Sequence, residues 1–531
     1  MEQASGPDSL DPAYGFTAQD VEAMDQVYQG LVQYEENSTN LVPLLAQSYN
    51  ISSNGMTYSF ILRPNINFSN GDPMNAYCFW YSIYRTAIMD QSPAGLVTTE
   101  LNTTSITASI LNEFNSTNNI PSPSLLQIME NPNNAITVTG EYSIQFHLSM
   151  PYSAFLSTLT QPQSFVVDPR VVSTNGGVVT GQTSTYMTFN AIGTGPFMIT
   201  QFQPSVETIY QRNPTYWGGA NGVQPTPRLY EVIARIVPDA LTRLKDVQVG
   251  EAQMAYVDVT LGKTILTTPG VYVTGISYPV IEWLSMDTQK FPFNETSIRL
   301  AVAHSINYTA LASLAYGFGE TFVGPDAKGL LGYNYTLQPY SYNPSLSMQL
   351  LSQAGYPNGK GIPTLTFYYP TDRPPAATFA TVIQSDLQQI GIKVSLTGET
   401  DSVMDSYLST TNSTSQPNIM IDSWFFYPDP SGYVDWLVGP LCYGPCNEAW
   451  YNNTAVNNLL TQAGATTNQT ARGEIYQHIA EIVYNDAPEL WLVQYKDATD
   501  QGVPVAVNSL RGFIPNFGFP GFDFSTLYLS P

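Results

Sequence analysis

TLTFYYPTDRPPAATFATVIQSDLQQIGIKVSLTGET, residues 364–400, decides the fold class. Its first seven residues are rich in aromatic side chains and read as a strand. Phe379, Val382, Ile383, Leu387 and Ile390 then fall on one face of a helix. Gly391 stands where a helix ends in the left-handed region, and IKVSL follows as a second strand. Strand, helix and strand in succession make a β-α-β unit.

The same mixture extends outward in both directions. Residues 18–34 repeat apolar side chains at helical spacing through Val21, Met24, Val27, Tyr28, Leu31 and Val32. MTYSFIL alternates, with Tyr58, Phe60 and Leu62 on one face, as in a half-buried strand. A turn at Asn70–Asp72 precedes a helix over 75–87, and strand signals return in AITVTG and YSIQFHL. LYEVIARIV (229–237) alternates strongly, and 240–250 reads as a short helix ended by glycine. No internal repeat is evident. The expected class is α/β, with mixed sheets flanked by helices, and 531 residues call for two to four domains or lobes.

Composition excludes several functions. Lys plus Arg is 18 against 42 Asp plus Glu, a net charge of −24, which leaves no basic patch for nucleic acid. Charged residues total only 11%, against roughly 25% in ordinary soluble proteins. The 12% aromatic content excludes an acidic disordered chain. A surface of neutral polar groups with few cations suits acidic surroundings. Below about pH 3 most carboxylates are neutral, and scarce Lys and Arg then limit self-repulsion. The expectation is an extracellular protein at the surface of an acid-living cell. A stability maximum near neutrality with unfolding by about pH 3 would contradict it.

No run is apolar and long enough to span a membrane. The lack of an apolar stretch near Met1 reads as a secretion signal already removed. The end at LYLSP leaves room for an anchor beyond it. Asn-X-Ser/Thr sequons at Asn37, Asn50, Asn67, Asn102, Asn115, Asn294, Asn334, Asn412, Asn452 and Asn468 suggest glycosylation. A further sequon at Asn307 lies inside a helical pattern and is expected to be unused. Cys442 and Cys446 flank a short turn and can form a small disulfide in an oxidising compartment. With three histidines, none near a cysteine pair, no metal site is expected. Cys78 reads as a buried apolar residue.

DSWFFYPDPSGYVDW, residues 422–436, crowds six large rings around turn residues. The rings are either core or a surface on which a ligand rests.

Five segments together resemble the extracellular solute-binding proteins of ABC importers, the large family 5 of oligopeptide- and dipeptide-binding type. SLDPAYG (9–15) with VYQGLVQY (27–34) is similar to that family's opening. LVPLLAQSYNISSNGMTYSFILRPNINFSNGDPMNAYCFWYSIYR (41–85) resembles its hairpin-and-helix signature. AIGTGPFMITQFQPSVETIYQRNPTYWGG (191–219) resembles its most recognisable motif. MDTQKFPFNETSIRLAVAHSINYTAL (286–311) and YNPSLSMQLLSQAGYPNG (342–359) resemble parts of its second lobe. The resemblance spans nearly the whole chain. It implies a two-lobed periplasmic-binding-protein-like fold of type II, the large class with an extra subdomain. Lobe I would hold 1–45, 186–279 and 495–531, with 46–185 inserted as the subdomain, and lobe II would be 280–494. Crossovers near Pro279–Leu284 and Tyr495–Ala498 would flank a cleft. Gly193, Gly195, Pro196, Arg212, Asn213, Pro214, Tyr216 and Trp217 read as scaffold.

In peptide-binding relatives the loop matching 422–430 carries an Asp three positions after its Trp, which holds the ligand's ammonium. Here Trp424 matches the Trp, Tyr427 stands at the acid's position, and Asp429 matches the acid of the turn. An ammonium closed in without a carboxylate costs several kcal/mol. The expected ligand is therefore a neutral oligosaccharide, of the kind associated with several archaeal members, its ring faces stacked on an indole. An oligopeptide is the alternative. Expected ligand-binding residues are Ser423, Trp424, Phe425, Phe426, Tyr427 and Asp429, with Phe425 and Phe426 as core in the other reading. Arg373 lies where some relatives keep an arginine for a ligand carboxylate. Tyr14 and Trp283 are further candidates, Trp283 lining the cleft floor or packing the hinge.

The expected role is binding without catalysis or cofactor, by a monomer that delivers its solute to a membrane permease. A secreted glycan hydrolase would need facing carboxylates; pairs such as Asp422 and Asp429 exist, but no motif supports them. No Ser-His-Asp set, HExxH or phosphate loop occurs. A structural surface glycoprotein is permitted by composition alone.

Overall fold

The computed structural model describes the chain except residues 37, 115–117, 220–223, 276–278, 409–412, 500, 515–517, 519–520 and 531. Two compact units are present. The first is Met1–Val257 with Thr268–Tyr278 and Pro504–Pro531, and the second is Asp258–Thr267 with Pro279–Val503. The resemblance assigns 258–267 and 495–503 to lobe I. Here Val259–Leu261 packs on the helix Pro374–Gln389, and the Lys496 amide donates to Phe318 O at 3.0 Å.

The first unit is built on a seven-stranded sheet. Its order is Val271–Val273, Val503–Val507, Met254–Val257, Glu2–Gln3, Glu231–Ile236, Glu207–Arg212 and Phe197–Gln203. The alternation in LYEVIARIV is the strand Glu231–Ile236. Residues of the 46–185 stretch form a separate antiparallel sheet of Ala46–Ile51, Thr57–Leu62, Ser143–His147 and Ile136–Gly140. The helix Ala76–Met89 starts at Asn75, whose side chain accepts from the Tyr77 and Cys78 amides. Phe79, Trp80, Ile83 and Tyr84 of this helix are fully buried. Arg85, 1% exposed, donates through both terminal nitrogens to Asp11 at 2.7 and 2.6 Å, fastening the SLDPAYG turn to the helix. Cys78 is buried, and burial pushes its thiol pKa far up, which leaves it inert.

The 191–219 motif is scaffold, for a steric reason. The Gly195 amide donates to Val27 O at 2.8 Å, and the Phe197 amide donates to Gln26 O at 3.0 Å. A Cβ on Gly193 would lie 2.0 Å from Val27 O. Asn213 Nδ2 donates to Gly195 O at 3.0 Å, and Trp217 Nε1 donates to Gln29 Oε1 at 2.8 Å. Gly193→Ala is expected to cost at least about 3 kcal/mol, because the clash is with backbone. Urea unfolding followed by circular dichroism measures it, and an unchanged midpoint would show that the turn can move aside.

The second unit carries a six-stranded sheet. In chain order its strands are β1 (Ile281–Met286), β2 (Gly319–Glu320), β3 (Leu365–Pro370), β4 (Val394–Glu399), β5 (Ile419–Trp424) and β6 (Glu489–Tyr495). The order across the sheet is β2-β6-β1-β5-β3-β4. β3 is parallel to β4 and β5, as the β-α-β reading requires, while β1 is antiparallel to β5 and β6. The helix Pro374–Gln389 lies on β3 and β4. Phe379, Ile383 and Leu387 on its inner face are 0% exposed, each contributing roughly 1.5–3 kcal/mol. Gly391 ends this turn with φ 88°, and a Cβ there would meet Asn358 O at 2.0 Å.

Cys442 and Cys446 are joined as a disulfide. Asn50, Asn67, Asn102, Asn294, Asn452 and Asn468 are exposed, while Asn37, Asn115 and Asn412 lie outside the described residues. Asn334 is a correction. It is 4% exposed, and its Nδ2, the atom a glycan would need, donates to Gln477 O at 3.2 Å. Asn307 caps the helix Tyr308–Ser313, accepting from the Ala310 amide. Among the described residues no helix is long and apolar enough to cross a membrane.

Candidate functional site at the strand ends of the second unit

In an open α/β sheet, ligands bind beyond the carboxyl ends of the strands. The parallel strands β3, β4 and β5 bring Pro370, Glu399 and Trp424 to one edge, and antiparallel pairing with β1 brings the end of β6 there too. Asp372, Arg373, Asp401 and Phe425 follow these ends, and Asp422 and Ser423 lie among the last three residues of β5.

Arg373 organises the edge. Its Nε and Nη2 donate to Asp401 Oδ1 at 3.0 and 2.7 Å, Nη2 also donates to Asp422 Oδ1, and Nη1 donates to Ser423 Oγ. The Asp401 amide donates in turn to Asp372 Oδ1 at 3.1 Å. Burial opposes the guanidinium's charge, but Asp422 and Asp401 outweigh it and keep Arg373 ionised. Burial likewise opposes ionisation of Asp422, and Arg373 holds its carboxyl below the usual range. Asp401 ends above that range, because burial outweighs its share of Arg373. Glu282, at the start of β1, is pushed up to about 7 by burial, partly offset by the Tyr495 hydroxyl donating at 2.5 Å.

The aromatic stretch divides in two. Trp424 and Phe425 are partly exposed, and Trp424 Nε1 is oriented by donating to Gly432 O at 2.8 Å. Phe426 and Tyr427 are 2% and 1% exposed. Their rings pack 4.5 Å apart, with Trp424 and Trp436 against Phe426. The expectation of a platform including Phe426 and Tyr427 is corrected: both are packing residues.

Asp429 is also corrected. Its two oxygens accept from Arg472 at 2.7 and 2.5 Å, and one caps the Ser431 amide at 2.9 Å. Arg472 is 1% exposed, so this pair anchors the loop rather than meeting solute. Trp283 is 1% exposed in the middle of the sheet, opposite Asp422 and Trp491, and is core. Arg373 is not free to take a ligand carboxylate, since two aspartates already match its single charge. Tyr14 lies in the first unit and is 42% exposed.

Sequence reasoning missed Asp401 and Arg472, and weighed Asp422 only as half of an unsupported carboxylate pair with Asp429. Asp422 stood in the quoted stretch, unassigned because an acid in a chain with 42 of them carries no signal alone. Arg472 lies 43 residues from its partner. The first unit has a cavity of about 60 Å³, lined by Asp25, Gln29, Gln33, Gln224 and Asp523 among others. It is several-fold smaller than a usual small-molecule site. Among the described residues no group of side chains is arranged to hold a metal ion.

Comparison with known proteins agrees with this architecture. Residues 40–445 match the family described as bacterial extracellular solute-binding proteins, family 5 middle. The probable D,D-dipeptide-binding periplasmic protein DdpA of Escherichia coli K12 is 25% identical over 524 residues, 97% of this chain and 90% of that protein. The glutathione-binding protein GsiB of Pectobacterium atrosepticum is 25% identical, covering 95% of this chain and 89% of that one. Among solved structures, the periplasmic binding protein DppA of Helicobacter pylori in complex with the peptide STSA superposes with a TM-score of 0.78. It is 23% identical and covers 99% of this chain and 97% of that one. AgaA of A. tumefacien R10, in complex with agropinic acid, gives a TM-score of 0.77 at 20% identity, with 100% and 98% covered. The fold is that of periplasmic binding proteins. The chain belongs to the extracellular solute-binding proteins of family 5, the binding components of ABC importers, and is a transport protein rather than an enzyme.

Proposed function

We propose that this chain captures small peptides with a free amino terminus at the strand ends of its second unit and delivers them to the importer's permease. The observation that carries this reading is the charge of that edge. Asp372, Glu399, Asp401 and Asp422 converge there, and Arg373 is the cation that pairs with Asp401 and Asp422. Such an excess of carboxylates favours a cationic group, which a peptide's amino terminus supplies and a neutral sugar lacks. Tyr427 does replace the acid expected in the loop, but it is buried, and the carboxylates at the strand ends would take that part instead. The dipeptide- and glutathione-binding relatives favour the same reading, and the oligosaccharide expectation is set aside. Trp424 and Phe425 would pack along the peptide, with Ser423 beside them as a polar contact.

A thermal-shift panel of di- to tetrapeptides against cello- and malto-oligosaccharides tests this. Peptides should raise Tm without being consumed, as expected of ligand linkage to the folded state. Stabilisation by sugars alone would overturn it. Trp424→Ala should weaken binding of a peptide that scores in the panel by at least about tenfold, roughly 1.4 kcal/mol. Calorimetric titration gives that ratio, and an unchanged Kd would remove the indole from the site.

A further inference from the structure

Behind Arg373, Asp422 leads into two buried carboxyls, Glu448 and Glu489, that solute binding does not require. Asp422 on β5 sits opposite Trp283 of β1, and two residues along β1 Ser285 sits opposite Glu489 of β6. Glu448, from the segment just after the disulfide, lies against Asp422 and Ser285 and feels the charge of Glu489. Glu448 and Glu489 are 4% and 1% exposed; Ser285 lies close enough to Glu448 to favour its carboxylate, and neither oxygen of Glu489 receives a hydrogen bond among the described residues. Other titratable or charged groups facing these carboxyls are Arg373 and Asp401 at the strand ends, Glu282 of β1 and Tyr495 of β6, with Asp258 near Tyr495. The cation among them, Arg373, is already shared between Asp422 and Asp401.

Two adjacent carboxylates cannot both stay ionised in a dry sheet without further counter-charge. We propose that Asp422, Glu448 and Glu489 form a proton-dependent latch on β5. While Glu448 and Glu489 keep their protons, Glu448 donates its O–H to Asp422, Asp422 holds Arg373, and the end of β5 is fixed. When the protons leave to solvent, like charges adjoin and the end of β5 loosens. Burial raises both glutamic acids well above the usual carboxylate range, the direction the latch requires. The consequence for capture, firmer binding in acid than at neutral pH, rests on the proposed role of Trp424 and Phe425. The latch itself does not, and it is tested without ligand.

Amide exchange over 419–425, corrected for intrinsic rates, is compared at about pH 4.5 and about pH 8 in the wild type and in Glu448→Gln. The side-chain amide of this variant can still donate to Asp422 but cannot lose a proton. The wild type should lose roughly tenfold in protection over this segment at the higher pH, and the variant should lose much less. Equal losses in the two proteins would overturn the latch, as would no loss in the wild type. Should the variant not fold, infrared spectra of the wild type and Glu489→Gln decide. The carboxylic-acid carbonyl band at neutral pH, to which buried Asp25 and Asp326 also contribute, should be weaker in Glu489→Gln, and an absent band in the wild type or an undiminished one in the variant would refute the proposal. Failure of every peptide in the binding panel would leave these outcomes unaffected.

Discussion

Arg472→Ala is expected to destabilise the second unit by roughly 3–5 kcal/mol, the cost of removing one partner of a buried ion pair. Arg472 lies in the helix Gln469–Asp486, is 1% exposed, and meets both oxygens of Asp429. Its guanidinium also lies 5.2 Å from the Tyr476 ring centroid. Truncation leaves Asp429, whose side chain is 14% exposed, with no counter-charge in a loop that packs Phe426 and Tyr427. Trp424 should lose its fixed position too, because its indole is held by Gly432 in the same loop. Calorimetry should show a fall in Tm on the order of 10 °C. Arg472→Lys should recover only part of it, since an ammonium cannot match the two-pronged contact. A fall within about 1 °C for Arg472→Ala would mean that the loop stands without its anchor.

The second large effect is on pH dependence. Burial pushes Glu100 and Glu282 up to about 7 and Asp287 up to about 6. These residues are 8%, 3% and 2% exposed. A carboxyl whose pKa is raised by folding contributes stability that is complete below its unfolded value, near pH 4. That contribution is lost as pH rises through the folded value, here about 6–7. At 1.36 kcal/mol per unit, each of the three contributes at most about 3 kcal/mol. Asp25, Asp326, Glu448 and Glu489 shift in the same direction, all through burial. Asp422 and Asp429 oppose them. Arg373 and Arg472 hold their pKa values down, so their contribution is present above about pH 4 and lost only as pH falls through the lowered values. The free energy of unfolding in urea should therefore be several kcal/mol smaller at about pH 8 than at about pH 4.5. An equal or larger value at pH 8 would contradict this, and with it the expectation of acidic surroundings drawn from composition.

Much of the fold was legible in the sequence because its signals are local. The face from Phe379 to Ile390, the stop at Gly391 and the alternation in LYEVIARIV became a helix, a cap and a strand at the expected places. The disulfide was legible because its two halves are four residues apart. The site was legible only in outline. The stretch 422–436 does reach the strand ends, but which of its rings face outward depends on partners far along the chain. Tyr427 is turned inward by a loop whose anchor, Arg472, is 45 residues away from it in sequence. Arg373 looked like a ligand contact until Asp401 and Asp422 were seen to share it, and β-strand pairing rather than any motif brings those acids together. Asn334 illustrates the same limit, since a sequon states acceptor chemistry and says nothing about burial.

The account stands on a peptide's charged amino terminus being received at the carboxylate-rich strand ends beside Trp424. Isothermal titration of a peptide that stabilises the protein, against the same peptide acetylated at its amino terminus, tests this most directly. The free peptide should bind at least about tenfold more tightly than the acetylated one, a difference of roughly 1.4 kcal/mol or more. Equal affinities, or tighter binding of the acetylated peptide, would contradict the account.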